Sequence, residues 1–384
     1  MTRRTAPLVD RHEMVRLAQR AAVLRSIVEG APISRAQVAA TLGLAKPTVS
    51  TLVADLQHDG LVVTDGQSSG TVGRAATMFR FEPTSGYVIA ADLGGTKLRV
   101  ALADLDGQVV AEELVLTDPR GGKAVADQIT EVSRGLASRS RVPWKRIRRV
   151  VIGAPGIVGA DGRHQLAPNI AGFDEIDLGN ELAIRTSCAV NIANDVNLAA
   201  VGERWLGAAM GCDDFVVLAI GTGVGAGIFS GGALLSGSRG AAGEVAYLPL
   251  GSDPAKPEAR RRGALELAAS GSTLARGGHT AESLFTAAAT GDRSALAKID
   301  GEASLLAEAI VAIASVVDPS MVVLAGGVGS NPALGPPVSR ALKRIAPWPI
   351  EVATTSLGDR AGLLGAVSVG RDAAMAEIYE GVTT

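Results

Sequence analysis

The 384-residue sequence predicts a small winged helix-turn-helix joined to a large α/β body. Two observations predict this: a helix-breaking cadence of Gly30, Ser34, Gly43 and Pro47 near the start, and a glycine turn that returns 127 residues later between apolar strands. The composition also changes after Glu82-Pro83-Thr84-Ser85-Gly86, a short linker. The predicted boundaries are therefore 1–82 for the first domain and 83–384 for the second.

In the first domain, Leu17, Ala21, Leu24, Ile27 and Val28 recur at helical spacing and predict an amphipathic helix over 16–29. Ser34 stands three residues before Gln37, a capping box that opens a second short helix. Pro47 suits the first turn of a third helix, whose Val49, Leu52, Val53 and Leu56 face inward. Lys46, Thr48, Ser50 and Thr51 are left facing out, the polar set a recognition helix needs to meet base edges and phosphates. Leu61–Thr64 and Met78–Phe81 read as two strands joined by a glycine- and serine-containing wing that ends in Arg74. The same surface would serve a protein-interaction module; helix lengths, turn glycine and wing together favour DNA.

In the body, Tyr87–Leu93, Leu98–Asp104 and Val109–Leu116 read as strands, with Gly94-Gly95-Thr96 a tight turn. Gly221-Thr222-Gly223 repeats that arrangement, and two such turns on duplicated halves would hold a nucleotide's phosphates. Met321–Ala325 is a further strand, Gly326-Gly327 its following turn, and Ala361–Tyr379 a long terminal helix.

Charge and cysteine counts narrow the classes. The chain carries a formal charge of -2, divided as +3 over 1–82 and -5 over the rest. Two cysteines, Cys188 and Cys212, cannot supply a disulfide framework or a Cys₃His or Cys₄ zinc site. The 24-residue uncharged stretch Phe215–Ser238 contains seven glycines and reads as strands and turns, not a membrane span. No apolar run of signal-peptide length is seen near the start, so a soluble cytoplasmic protein is expected.

Asp92-Leu-Gly-Gly-Thr-Lys97, Pro168-Asn169, Asn194-Asp195-Val-Asn197 with Glu203, Gly221-Thr-Gly223 and Gly240-Ala-Ala-Gly-Glu244 fall in the order and spacing of the ROK family. The sequence resembles that family of repressors, open reading frames and sugar kinases over roughly 15–375. The resemblance implies an actin-like, ribonuclease-H-like duplicated ATPase fold, with lobes at about 83–200 plus 361–384 and at 201–360. Ile33-Ser34-Arg35, Lys46-Pro-Thr-Val-Ser50 and Gly73-Arg74 look like the DNA-binding half of its repressor branch, which adds Ser34 and Arg35 to the DNA-contact set.

The resemblance also implies roles. Asp195 is similar to the base that takes a proton from a sugar hydroxyl as it attacks ATP, while Asn169, Asn194, Asp195, Glu244, Tyr247 and Glu266 are expected around the sugar. Gly94, Gly95, Thr96, Lys97, Gly221, Thr222, Gly223, Gly326 and Gly327 are expected around the nucleotide. Turn and cap chemistry is the alternative for Asn169, beside Pro168, with the sugar-ligand reading preferred. The family's zinc ligands are replaced: Tyr247 stands at the histidine position and Pro257, Ala259 and Ala264 at three cysteine positions. No zinc is expected, and ATP and Mg only if kinase activity is retained.

The function these features imply is a sugar-responsive DNA-binding regulator, in the sense of a repressor. Its expected partners are operator DNA, a sugar or sugar-phosphate effector and further copies of itself as a dimer or dimer of dimers, with no membrane. An ATP-dependent hexose or amino-sugar kinase with an accessory DNA-binding domain is the alternative, and a module that answers to a protein partner a third.

Overall fold

The computed structural model describes residues 11–67, 75–158, 164–165, 170–173, 175–274 and 280–381. The strands are β1 (Ile33–Ser34), β2 (Val62–Gln67), β3 (Thr77–Phe81), β4 (Tyr87–Leu93), β5 (Lys97–Asp104), β6 (Val109–Leu116), β7 (Ile147–Ala154), β8 (Ile157–Val158), β9 (His164–Gln165), β10 (Ala189–Asn194), β11 (Phe215–Ile220), β12 (Val224–Ser230), β13 (Ala233–Leu234), β14 (Met321–Ala325) and β15 (Glu351–Thr354). The helices are α1 (Arg11–Gly30), α2 (Arg35–Leu42), α3 (Lys46–His58), α4 (Gly122–Arg139), α5 (Leu178–Thr186), α6 (Asp195–Leu206), α7 (Pro257–Arg262), α8 (Ala264–Ala269), α9 (Gly271–Leu274), α10 (Ala281–Ala289), α11 (Arg293–Val317), α12 (Gly326–Gly329), α13 (Gly335–Ile345) and α14 (Ala361–Glu380).

Local chemistry sets the first three helices. The Ser34 hydroxyl accepts from the Gln37 amide at 3.3 Å, and the Gln37 side chain accepts from the Ser34 amide at 2.9 Å, which closes the capping box and starts α2. Gly43 ends α2 at φ 63°, a left-handed conformation that a Cβ would disfavour. α3 buries Val49, Leu52, Val53 and Leu56 as the spacing predicts. β3 lies between β1 and β2 in an antiparallel three-stranded sheet. Leu17 departs from expectation: it sits partly exposed, and α1 instead turns Val23, Leu24 and Ile27 inward.

The body contains one architecture twice. The first sheet runs β10-β7-β4-β5-β6 and the second β13-β12-β11-β14-β15. Each has an antiparallel three-strand meander followed by two strands parallel to the first, and each crossover is helical. The duplicated actin-like fold expected from the resemblance is thus seen strand by strand. Gly326-Gly327 forms no open turn but begins α12: Gly326 has φ 79° and a Cβ there would lie 2.5 Å from the Ile220 carbonyl, so tertiary fit overrides the weak helix propensity of glycine.

α14 connects the parts. It packs on α6, β4, β7 and α1. At the crossing with α6, a Cβ on Gly365 would lie 1.8 Å from the Leu198 carbonyl oxygen, so the two backbones meet only because that residue is glycine. Leu24, Ile27 and Phe81 of the winged helix share one buried cluster with Leu105, Met375 and Ile378 of the body. No helix among the described residues is long and apolar enough to cross a membrane.

Candidate ligand cleft and nucleic-acid surface

A cleft of about 270 Å³ opens between the two sheets. It gathers Gly94 and Gly95 from the first turn, Gly221, Thr222 and Gly223 from the second, Gly326 from the start of α12, and Asn194, Asp195, Glu244, Tyr247 and Glu266. Thr96 and Lys97 are exposed beside it, and the Gly327 amide lies behind Gly221. Asn169 and Arg74 lie outside the described residues.

The start of α6 sets the polar floor. Asn194 caps α6: its side-chain oxygen accepts from the Asn197 amide at 3.0 Å, while its Nδ2 donates to the Gly156 carbonyl at 3.1 Å. That pairing fixes the side chain and places Asp195 in the first turn of α6, where the Val196 amide donates to Oδ1 at 2.8 Å. The walls withdraw the Asp195 carboxyl from bulk water and push its pKa up, although the amide hydrogen bonds oppose this. Glu244 is raised by burial first, then by repulsion from Asp195 and Glu266. Asp92, at the end of β4, is raised to about 7 by burial and by Asp195, against the pull of Arg99. Crowding and burial thus favour the protonated form of Asp92, Asp195 and Glu244, which can donate to as well as accept from hydroxyl groups.

Glu266 is held from two sides. Arg262 donates to Oε1 at 3.2 Å across the junction of α7 and α8, and the Val224 amide donates to Oε2 at 3.3 Å. The second glycine turn is thereby tied to a carboxylate of the cleft. Arg261 and Arg262 also line the wall, as do Pro155 and Gly156, none of which the sequence reading singled out. Arg262 ends α7 and Glu266 lies in α8 beyond Gly263, so no helical spacing in the sequence signals their contact. Glu203, part of the same motif as Asp195, serves structure: it is fully buried, its Oε2 accepts from the Ala208 amide at 2.7 Å, and Thr355 donates to its other oxygen.

The four positions that resemble zinc-ligand sites do not fit the metal. The Tyr247 hydroxyl donates to the Arg261 carbonyl at 3.1 Å, and Ala259 and Ala264 are buried apolar side chains. Among the described residues, no group of three or more His, Cys, Asp or Glu could hold a metal ion. The Tyr247–Arg261 hydrogen bond and the Arg262–Glu266 ion pair join the segments that such an ion would have joined.

On the winged helix, Lys46, Ser50 and Thr51 are exposed and Thr48 is half-buried. Ala45 caps α3 without a side-chain hydrogen bond, so amides of the first turn stay free for an anionic partner. Ser34 corrects the expected DNA-contact set: it is 6% exposed and its hydroxyl is committed to the cap of α2. Arg35 is half-buried, its guanidinium 4.6 Å from the Phe79 ring centroid and 3.4 Å from the Gln57 side-chain oxygen. Its position braces α2 against β3 and α3.

The ROK family pattern matches residues 88–373. The chain belongs to the ROK family. Residues 20–66 match the IclR helix-turn-helix domain. Among similar ROK proteins, the glucokinase of Thermotoga maritima is 31% identical over 73% of this chain and 96% of its own length. The xylose repressor of Bacillus subtilis is 28% identical over 68% of this chain and 67% of its own length. The ROK hexokinase of Thermus thermophilus superposes with a TM-score of 0.63 at 31% identity, over 73% of this chain and 96% of that one. A ROK family transcriptional regulator, a homolog of the E. coli MLC protein, covers 96% of this chain and 98% of its own with a TM-score of 0.73; at 21% identity it speaks for the fold alone.

Proposed function

We propose that this ROK protein is a sugar-responsive DNA-binding regulator of transcription, in which α3 reads operator DNA and the cleft between the sheets binds the effector. The observation that carries this reading is the joint: a helix-turn-helix with an exposed polar recognition face packs through α1 onto α14, which packs on the helix that begins at Asp195. Similarity to a xylose repressor and to sugar kinases supports a sugar in the cleft. The protein acts in the cytoplasm as a homodimer, because operator half-sites are read by paired recognition helices, and effector binding changes their spacing. It represses until the sugar, or a sugar phosphate, arrives.

Operator affinity measured by fluorescence anisotropy, with and without a sugar panel, tests this. Lys46→Ala combined with Ser50→Ala should weaken operator binding at least about tenfold and reduce the salt slope by about 1. Unchanged binding would remove α3 as the reading element.

The cleft also supports a second reading, an ATP-dependent sugar kinase. Asp195 sits at its floor between two glycine turns free of side-chain bulk. Sugar-dependent ADP release that is abolished by Asp195→Asn would establish it, whereas release unaffected by that substitution would rule out Asp195 as the base.

A further inference from the structure

The cleft contains one cation that its carboxylates do not engage. α7 ends in three arginines, of which Arg261 and Arg262 line the cavity. Arg262 is neutralised by Glu266. Arg261 offers only its carbonyl, to Tyr247; among the described residues its guanidinium forms no hydrogen bond, ion pair or ring contact, and it stands exposed at the rim. The acids of the floor do not draw it in. Burial raises Asp195 and Glu244, and no arginine holds either of them down. Carboxyls whose burial favours the protonated form repel an anion less than their formal charge suggests. A free guanidinium above it presents a planar fork matched to phosphate or carboxylate oxygens.

We propose that the ligand of this cleft is a monosaccharide carrying an anionic group, whose hydroxyls meet Asn194, Asp195 and Glu244 and whose anion meets Arg261. The proposal rests on the sugar-responsive reading above and adds to it the charge of the ligand and the residue that reads it. Neutral sugars fit the floor; only an anionic one also engages the rim.

Calorimetric titration of the full chain tests this, with glucose and mannose compared against glucose 6-phosphate, mannose 6-phosphate and glucuronate, and with inorganic phosphate and ATP alongside. At least one anionic sugar should bind ten times more tightly than its neutral parent or better, and the phosphate and carboxylate arms show which anion is read. Arg261→Ala should bring that ratio close to one, Arg261→Lys should keep part of it, and Arg261→Glu should reverse it. The thermal midpoint and ligand-free operator affinity of each variant report whether it is folded. Equal binding of neutral and anionic sugars overturns the proposal, and so does inorganic phosphate or ATP binding as tightly as the sugar phosphate with the same dependence on Arg261. If neutral sugars bind and shift operator affinity, the regulator reading survives that failure; if no sugar of either kind does so, both fall.

Discussion

The two halves of the body share a topology yet use their glycine turns differently. The first turn, between β4 and β5, stands open: Gly95, Thr96 and Lys97 are exposed, the Gly94 amide donates to the Lys97 carbonyl at 2.9 Å, and the Thr117 hydroxyl donates to the Gly94 carbonyl at 2.7 Å. The second turn, between β11 and β12, is bound into the cleft. Gly271 donates to the Gly221 carbonyl at 2.8 Å, and Glu266 accepts from Val224 immediately after Gly223. Duplication supplied two equivalent loops that both line the cleft, and packing left the tip of one exposed while tying the other to a carboxylate of the wall. A motif therefore locates a turn without saying what the turn is attached to.

The crossover helices sharpen the contrast most. α4 in the first half buries Ser133, whose hydroxyl is satisfied by the Ile129 carbonyl at 2.6 Å. α11 in the second half buries Glu302, 6% exposed, whose Oε1 has no hydrogen-bond partner among the described residues, in a cavity also lined by Lys298 and Thr273. Burial raises the Glu302 pKa to about 8. The folded protein therefore keeps that proton while the unfolded chain, near 4.5, releases it, so stability declines as pH rises from about 4.5 to 8 and levels above that. Glu302→Gln should remove this decline and stabilise the protein by about 3 kcal/mol at pH 7, at 1.36 kcal/mol per pKa unit. Urea unfolding from pH 5 to 8.5 measures it; a variant with the parent's pH slope would mean that Glu302 titrates normally.

Next in size is the difference between the turns themselves. A Cβ on Gly223 would lie 2.7 Å from the Glu266 carboxylate, whereas one on Gly94 would meet only the Lys97 carbonyl at 3.2 Å. Gly223→Ala should weaken sugar binding about tenfold by displacing Glu266, and Gly94→Ala by less than about threefold. Equal losses in the two variants, read by titration calorimetry, would erase the asymmetry. The smallest effect belongs to the loop that has no zinc ligands. Tyr247→Phe deletes a single hydrogen bond and should cost about 1 kcal/mol of unfolding free energy, with faster proteolysis between 249 and 263. No change in either readout would show that packing alone holds the loop.

Much of the fold was legible because it depends on local pattern. β4, β6 and β14 begin and end where alternation and turn residues put them, and the inward face of α3 follows from spacing alone. The site was half legible. Motif order found the floor acids, but the rim arginines required knowing which way α7 faces, a tertiary fact with no periodic signature in a six-residue helix. Ser34 misled because one hydroxyl suits both a cap and a phosphate contact, and only burial separates the two. Leu17 misled because helical spacing identifies a face but not where the partner surface ends. α12 was obscured because glycine pairs signal turns unless a neighbouring strand demands close approach.

α14 has a mechanical consequence. A helix of 20 residues is a stiff rod about 30 Å long, pinned near one end where Gly365 admits the backbone of α6 and loaded at the other where Met375 and Tyr379 stand beside α1. A tilt of about 5° about Gly365 carries Tyr379, about 21 Å away along the helix, through about 2 Å. That is about half the rise of one base pair along DNA, so a small adjustment at the cleft becomes, by leverage alone, a displacement that recognition helices in paired half-sites can register.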